Sequence, residues 1–210
     1  MTIMHYRLAK KRDLSKIAEI HYECSIKQIG GFMHKLGVMF LKAYYSILIN
    51  EKWSLILIAE DDFGIIAGFH SGSILPIEHK QALRRKGYKF ILPIFLKLFT
   101  HPALLNEVLK RIKSLTVTNG KFKFSTNEGP RAEYWAWSPS YKGENKSLDL
   151  RQKWCQILNI LGFDYYYLEV DSTNKLVLNY YKLQSAECIS EICLNDGRKR
   201  YIFKLKTIKN

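Results

Sequence analysis

The chain has 210 residues, which is long enough for one domain with a sizeable hydrophobic core. Its hydrophobic content of 47% and aromatic content of 13% exclude an intrinsically disordered protein. The 33 Lys and Arg outnumber the 19 Asp and Glu, which gives a net charge of +14. Such a charge is typical of a protein with an anionic partner: nucleic acid, an anionic membrane face or a phosphorylated ligand. A solvated basic surface that serves no specific partner is the alternative.

The cysteine and histidine patterns exclude two kinds of site. The four cysteines are scattered and form no C-x-x-C motif, which favours a reduced, cytoplasmic protein over a disulfide scaffold. The six histidines include no pair spaced i, i+4, so no metal is expected. The first residues are basic where a signal peptide needs an apolar run, and no stretch of about 20 apolar residues follows. We therefore expect neither a secretory signal nor a membrane span.

The N-terminal part predicts the order strand, helix, helix, strand, strand. The first strand is expected at 5–9, followed by a helix capped by Asp13 and a second helix at about 36–49. The run at 53–59 is almost entirely apolar, as in a strand buried on both faces. Residues 61–64 predict a hairpin turn that leads to a partner strand at 65–73.

Residues 75–130 interrupt this pattern and are too long for a plain loop. They contain eleven Lys and Arg against three Glu, a net charge of +8, and an apolar run at 90–96 that is too short to cross a bilayer. We predict a basic helical insertion. One interpretation is an element that contacts a membrane surface or a phosphorylated acceptor through 80–113. The other is a set of helices that packs on the domain or on a second subunit.

The region after the insertion predicts strand, polar turn, helix, strand, helix. A strand at 132–137 leads through a turn at 138–145 into a helix, which Gly162 ends. The apolar face of this helix carries Leu150, Trp154, Leu158 and Leu161. A strand at 163–170 and a helix capped within 171–174 follow, and two strands at 188–194 and 201–205 form a hairpin around 195–197. A strand that passes through a polar loop into a helix N-terminus offers backbone N–H groups to a phosphate.

This region resembles the GNAT superfamily of acetyl-CoA-dependent N-acetyltransferases. The family's N-x-x-A-x-x-F-Y helix matches Asn174, Val177, Tyr180 and Tyr181 with the spacing intact. The likeness in element order covers nearly the whole chain, and the likeness in residues is confined to about 131–181. A weaker likeness within 31–45 is to members found among bacterial surface-polysaccharide genes. The resemblance implies one α/β (α+β) domain over 1–210, with a mixed, mostly antiparallel sheet, flanking helices and the insertion 75–130 between the third and fourth strands.

The family's phosphate loop, Q/R-x-x-G-x-G/A, falls on 142–147. Here Lys142 replaces Gln or Arg, Asn145 replaces the first Gly and Ser147 replaces the last small residue. Asn tolerates the left-handed conformation better than most residues, so the loop can still form. The family's L-G-F after the tyrosine is lost at 184–186. The resemblance assigns the binding of acetyl-CoA to Trp135, Ala136, Trp137, Lys142, Gly143, Asn145, Lys146, Ser147 and Asn174.

The resemblance also implies catalytic roles for two residues. Glu133 would deprotonate the amine, with Glu169 in reserve, and the alternative is a strand glutamate paired with a neighbouring base. By alternation, Glu133, Trp135 and Trp137 share one face of their strand. Tyr181 would protonate the departing thiolate, since a phenol stays protonated at neutral pH; the alternative is a core tyrosine.

The sequence therefore predicts an acyl-CoA-dependent N-acyltransferase that moves acetyl from acetyl-CoA to a primary amine. The expected acceptor is a small molecule, with a nucleotide- or lipid-linked amino sugar as the specific hypothesis. Nucleic acid is not expected as a partner, because the bases are not interleaved with aromatic residues. A degenerate, non-catalytic CoA-binding protein and a membrane-surface-associated protein remain as alternatives, and monomer and homodimer both stay open.

Overall fold

The computed structural model describes residues 3–26, 32–116, 129–141, 145–193 and 197–208. Seven strands form one sheet in the order β1-β2-β3-β4-β5-β7-β6, and the pair β4–β5 is parallel while the others are antiparallel. The strands are β1 Met4–Leu8, β2 Ser54–Asp61, β3 Ile66–Ser73, β4 Arg131–Trp137, β5 Tyr165–Asp171, β6 Glu187–Cys193 and β7 Lys199–Lys206. This confirms the predicted mixed, mostly antiparallel sheet.

Seven α-helices flank the sheet within the described ranges. They are α1 Leu14–Ile26, α2 Gly37–Leu48, α3 Pro76–Arg85, α4 Ile91–Thr100, α5 Leu105–Thr116, α6 Lys146–Ile160 and α7 Lys175–Leu183. Helices α3 to α5 lie between β3 and β4, so the helical insertion between the third and fourth strands is confirmed. None of these helices is long and apolar enough to cross a membrane.

Two hydrophobic clusters cover the two faces of the sheet. Trp154, Leu150 and Leu158 of α6 are fully buried on one face. Helices α1 and α2 cover the other face, where Tyr45 and Phe69 are fully buried. Strand β2 sends alternate apolar residues into each cluster, which explains its almost continuous apolar sequence.

The end of α6 shows why Gly162 and Leu161 behave differently. Gly162 has φ +88°, and its N–H donates to the carbonyl of Asn159 at 2.9 Å, while the N–H of Phe163 donates to the carbonyl of Leu158 at 3.0 Å. This is a Schellman motif, which needs a left-handed residue after the helix. Because the helix ends at Ile160, Leu161 leaves its apolar face and is exposed. The prediction that Leu161 belongs to that face is wrong.

The predicted helix cap at Asp13 differs in detail from expectation, whereas the strand pairing of the predicted C-terminal hairpin agrees with it. Asp13 does not precede α1 as a simple cap: it ends a 3₁₀ turn, and its carboxylate accepts the N–H of Lys10 at 2.7 Å and the guanidinium of Arg7. Strands β6 and β7 pair in antiparallel fashion, as a hairpin requires. Residues 195 and 196 of the predicted turn lie outside the described residues, as does residue 194 at the end of the predicted strand.

Candidate active site

The parallel pair β4–β5 is joined at a single position. Arg131 is opposite Tyr167, where the N–H of Tyr167 donates to the carbonyl of Pro130 at 2.8 Å. Both strands are seven residues long and fully described, yet no further pairing connects them. Beyond Arg131, the edge of β4 that faces β5 therefore has backbone groups that β5 does not bind.

A β-bulge in β4 places Glu133 on the α2–α3 side of the sheet. Gly72 of β3 is opposite Ala132 and the adjacent Ser71 is opposite Tyr134, so Glu133 has no partner in β3. An inserted residue shifts the alternation of side chains by one position. Glu133 and Tyr134 consequently lie on the same face.

The predicted common face of Glu133, Trp135 and Trp137 is wrong for this reason. Trp135 and Trp137 pack on the opposite face, against the cluster that contains Trp154. Gly68 makes this possible, because a Cβ at that position would collide with the ring of Trp137.

The backbone of β4 after the bulge is arranged for pairing on its β5 side. The N–H of Ser138 donates to the carbonyl of Ala67 in β3 at 2.7 Å. Since backbone groups alternate in direction along a strand, Ala136 also faces β3, whereas Trp135 and Trp137 face β5. The carbonyl of Trp137 accepts the Cys24 thiol at 3.1 Å. Of the three predicted backbone partners, the structure brings Trp135 and Trp137 to the open edge and not Ala136.

The two tryptophan side chains connect β4 to the ends of the predicted phosphate loop. The indole N–H of Trp135 donates to the carbonyl of Ser147 at 3.1 Å, and that of Trp137 donates to the carbonyl of Tyr141 at 2.9 Å. Lys142 and Gly143 lie outside the described residues. The contacts nevertheless hold both ends of the loop beside the open edge of β4.

Asn145 begins helix α6 in the left-handed conformation, with φ +59°. Its carbonyl accepts the N–H of Leu148 at 2.8 Å and that of Asp149 at 3.1 Å. Asn thus occupies a conformation that glycine adopts without strain. The first turn of α6, with Lys146 and Ser147, has the arrangement that binds anions at helix N-termini.

Glu133 lies in a cluster of polar side chains that sequence reasoning did not find. One oxygen of its carboxylate is 2.7 Å from Nδ1 of His79 on α3, and the other accepts the hydroxyl of Tyr44 on α2 at 3.0 Å. Burial acts to raise the pKa of Glu133, but the hydrogen bond from His79 and the charges of His79 and Arg131 outweigh it and lower the pKa. The carboxylate is therefore ionised at neutral pH. No short-range motif links His79 to Glu133, because the insertion separates them.

Glu169, the reserve base, is held between two arginines. One of its oxygens is 2.9 Å from Nη2 of Arg131 and the other is 3.0 Å from Nη1 of Arg200. Both oxygens serve ion pairs that tie β5 to its neighbours β4 and β7. The partners of Glu169 are guanidinium groups, which keep their protons, whereas one partner of Glu133 is an imidazole.

Tyr181 and Asn174 lie on or at the start of α7. Tyr181 is buried against Phe203, with 6.1 Å between ring centroids. Burial raises the pKa of Tyr181 to about 12, while the charge of Arg151 acts in the opposite direction. Asn174 caps α7, since its Oδ1 accepts the N–H of Val177 at 3.3 Å.

Arg151 of α6 is a buried cation that sequence reasoning also missed. Its guanidinium donates to the hydroxyl of Tyr166 at 2.7 Å and to that of Tyr180 at 3.2 Å, and it lies 5.8 Å from the ring of Tyr181. Within the described residues no carboxylate pairs with it, and its buried Nε has no partner. A basic residue one turn into an otherwise apolar helix face was the only signal available in the sequence.

The comparisons with known proteins give no match by sequence and several by structure. No protein-family model matches the chain, and no curated protein matches it. A Desulfovibrio desulfuricans protein assigned to the GNAT family of acetyltransferases is similar over 99% of this chain and 100% of its own, with TM-score 0.59 and 10% identity. The chain has the GNAT fold.

Two further structures share the GNAT fold with this chain. The spermidine N-acetyltransferase of Vibrio cholerae is similar over 97% of this chain and 94% of its own, with TM-score 0.55 and 11% identity. A Salmonella typhimurium acetyltransferase, solved with its cofactor acetyl-CoA, is similar over 99% of this chain and 96% of its own, with TM-score 0.50 and 10% identity. No group of three metal-ligating side chains occurs in the part of the GNAT fold that the structure describes here.

Proposed function

We propose that this protein is an acyl-CoA-dependent N-acyltransferase that moves acetyl from acetyl-CoA to a primary amine. The observation that carries the proposal is the open edge of β4 beside β5 in a GNAT fold. An edge whose N–H and C=O groups are not bound by the neighbouring strand can bind the amide-containing pantetheine arm as it would bind an added strand. The Salmonella neighbour with acetyl-CoA supports the choice of cofactor.

The residues around this edge fit the parts of acetyl-CoA. Backbone groups of Trp135 and Trp137 suit the amides of the pantetheine arm, and the side-chain NH₂ of Asn174 can donate to the same arm while its oxygen caps α7. The N-terminus of α6 suits the pyrophosphate. The residues assigned to the pyrophosphate are Lys142, Gly143, Asn145, Lys146 and Ser147.

Glu133 and His79 are assigned to the removal of a proton from the acceptor. An ammonium group has no lone pair, so the amine must lose a proton before it attacks the carbonyl carbon of the thioester. The ionised carboxylate of Glu133 accepts a hydrogen bond from Nδ1 of His79 and so orients the imidazole. The pair can therefore accept this proton directly or through water.

Tyr181 and Arg151 are assigned to the leaving group. As the C–N bond forms and the C–S bond breaks, the phenol of Tyr181 gives its proton to the departing thiolate, and the nitrogen of the new amide releases its second proton to solvent. The tyrosinate that remains lies near the guanidinium of Arg151, which stabilises it in a buried environment. Proton transfer from the Glu133–His79 pair through solvent restores Tyr181 and completes the cycle.

The proposed acceptor is an anionic amine, such as a nucleotide- or lipid-linked amino sugar. His79 belongs to α3, which also carries Lys80, Arg84 and Arg85, so basic side chains adjoin the proposed base. These charges attract a phosphate and repel a polycation. We therefore expect an acceptor unlike the spermidine of the Vibrio neighbour.

The test is release of thiol from acetyl-CoA with a panel of acceptors. The panel contains amino-sugar nucleotides, small neutral amines, basic peptides and spermidine. We expect the amino-sugar nucleotides to give the highest kcat/KM, with a dependence on salt. Higher activity with spermidine or peptides would contradict the proposed acceptor, and no release with any amine would contradict the proposed reaction.

A further inference from the structure

Helix α4 exposes a long apolar face. The exposed side chains of the helix are 41% to 82% accessible and recur at the spacing of one helical face. Tyr88, 65% exposed just before the helix, extends this surface. We name the six residues the apolar stripe: Tyr88, Ile91, Leu92, Phe95, Leu96 and Phe99.

The apolar stripe is held in place by the opposite face of the same helix. Ile94 and Leu98 pack against a small core formed by Leu36, Phe40 and Val108. The ring of Phe90, directly before the helix, is 5.0 Å from the ring of Phe40. Helix α4 is therefore anchored on one side and presents the stripe on the other. Such a large contiguous apolar surface on a protein marks a contact with a partner or a membrane.

The surroundings of the stripe are basic. Residues 76–110 contain seven Lys and Arg against two Glu, a net charge of +5. Arg84 and Arg85 on α3 and Lys110 on α5 are exposed. One of the two glutamates, Glu107, is already paired with Lys35 at 2.9 Å. The segment that carries the stripe thus has an excess of positive charge.

We propose that the apolar stripe docks this protein on an anionic lipid membrane. Helix α4 lies parallel to the bilayer surface, with its aromatic and aliphatic side chains in the boundary between headgroups and acyl chains. Arg84, Arg85 and Lys110 contact the anionic headgroups. A basic helical surface with phenylalanine and leucine on its apolar side is the combination that binds in this way.

A second copy of the chain fits the same surface less well. We name Arg84, Arg85 and Lys110 the basic flank. A two-fold contact through the stripe brings the basic flank of each copy towards that of the other, so like charges repel each other. Anionic headgroups neutralise those charges instead. The docking goes beyond the proposed reaction. One consequence rests on the proposed function: α3 also carries His79, so the proposed base lies on the helix whose arginines contact the headgroups.

Vesicle co-sedimentation of the whole chain tests the proposal. We expect binding to vesicles that mix phosphatidylcholine with phosphatidylglycerol, weak binding to pure phosphatidylcholine, and loss of binding at high salt. Phe95→Glu with Phe99→Glu should lower the partition coefficient about a hundredfold. The matched control is Phe63→Glu, because Phe63 is exposed in the β2–β3 turn, away from α4, and its replacement should leave the partition unchanged.

A charge-reversal pair tests the basic flank separately. Arg84→Glu with Arg85→Glu should lower the partition coefficient at least about tenfold. The control is Lys42→Glu with Lys52→Glu, which makes the same change in charge at two exposed positions outside α3 and α4. This control should lower the partition coefficient less. Equal binding to the two vesicle types, or binding to neither, would overturn the proposal. So would a dimer in sedimentation equilibrium that dissociates on Phe95→Glu and does not bind vesicles. Acetyl-CoA binding by Phe95→Glu with Phe99→Glu should match that of the parent protein, which separates failure of the docking proposal from failure of the proposed function.

Discussion

Two polar clusters lie on opposite faces of β4 and differ in charge balance. The carboxylate cluster, on the α2–α3 side, consists of Tyr44, His79, Arg131 and Glu133, and its central anion has hydrogen bonds to both oxygens. The guanidinium cluster, on the α6–α7 side, consists of Arg151, Tyr166, Tyr180 and Tyr181, and among the described residues its central cation binds only phenols. The charge of Glu133 is compensated by its neighbours, whereas no carboxylate among the described residues compensates the charge of Arg151.

This difference matches what each face has to do in the proposed reaction. A compensated carboxylate stays ionised and can assist the loss of a proton. An uncompensated guanidinium is costly to bury, but it stabilises negative charge that appears near it during turnover. The comparison therefore predicts that mutations lower kcat on both faces but affect the free energy of unfolding differently on each face.

The largest expected effect comes from Glu133→Gln in the carboxylate cluster. This change keeps the shape but removes the charge, so kcat should fall about 100- to 10,000-fold while the Kd for acetyl-CoA is unchanged. Thiol release and calorimetry measure the two quantities. Glu169→Gln is the matched control in β5, with an expected loss in kcat of less than about tenfold. Equal losses in the two variants would remove Glu133 from its assigned role.

Replacement of Arg131 and replacement of Arg151 by methionine should have different effects on the free energy of unfolding. Arg131→Met leaves Glu133 and Glu169 with one cation fewer and should lower the free energy of unfolding by about 3 kcal/mol. Arg151→Met removes an uncompensated cation and should leave that free energy unchanged or raise it by about 1 kcal/mol, while kcat falls. Urea unfolding at neutral pH provides the comparison. A similar loss of stability in both variants would contradict the difference between the clusters.

Tyr181→Phe tests the guanidinium cluster by activity. Loss of the phenolic proton should lower kcat about 100-fold, with acetyl-CoA affinity near that of the parent protein. Tyr166→Phe provides the control, since Tyr166 binds the same guanidinium and should affect kcat less. Unchanged turnover in Tyr181→Phe would show that another group protonates the thiolate.

A smaller effect should appear in the pH dependence of stability. One buried histidine on each face of the sheet contributes to it. Burial, assisted by the charge of Arg151, lowers the pKa of His70 to about 3, and burial, assisted by His34, lowers the pKa of His21 to about 3. Below about pH 6.5 the unfolded chain gains protons at these residues and the native chain does not. The free energy of unfolding should therefore fall as pH decreases, by about 2 kcal/mol per histidine at pH 5.

The variant His70→Phe tests whether a buried, neutral His70 causes part of this loss of stability at low pH. Nδ1 of His70 has no hydrogen-bond partner in the part of the chain that the structure describes, and its ring stacks on Trp154 with 4.3 Å between centroids, so phenylalanine can replace it in shape. Urea unfolding between pH 7 and pH 5 should show about half the parent's slope. A slope equal to that of the parent would mean that His70 is not held neutral by burial.

The parts of this structure that sequence predicts are those governed by local periodicity. Leu150, Trp154 and Leu158 recur at helical spacing, and all three are buried on one face of α6. Asn145 is one of few residue types that tolerate positive φ, and it adopts that conformation.

The parts that sequence does not predict depend on pairing between distant segments. The bulge exists because Glu133 is an extra residue in β4 between two residues that pair with neighbouring residues of β3. Simple alternation of side chains along a strand does not predict such an extra residue. Contact between His79 and Glu133 depends on where the insertion packs. The structure thus changes the proposed base from a lone glutamate beside two tryptophans to a glutamate–histidine pair on the opposite face.

Titration calorimetry with acetyl-CoA tests the central claim most directly, since the open edge of β4 and the loop with Asn145 are proposed to bind this molecule. The account predicts saturable binding of one molecule per chain, with Kd in the micromolar range. No detectable heat of binding at millimolar acetyl-CoA would contradict it and would leave the chain as a GNAT fold without the cofactor chemistry.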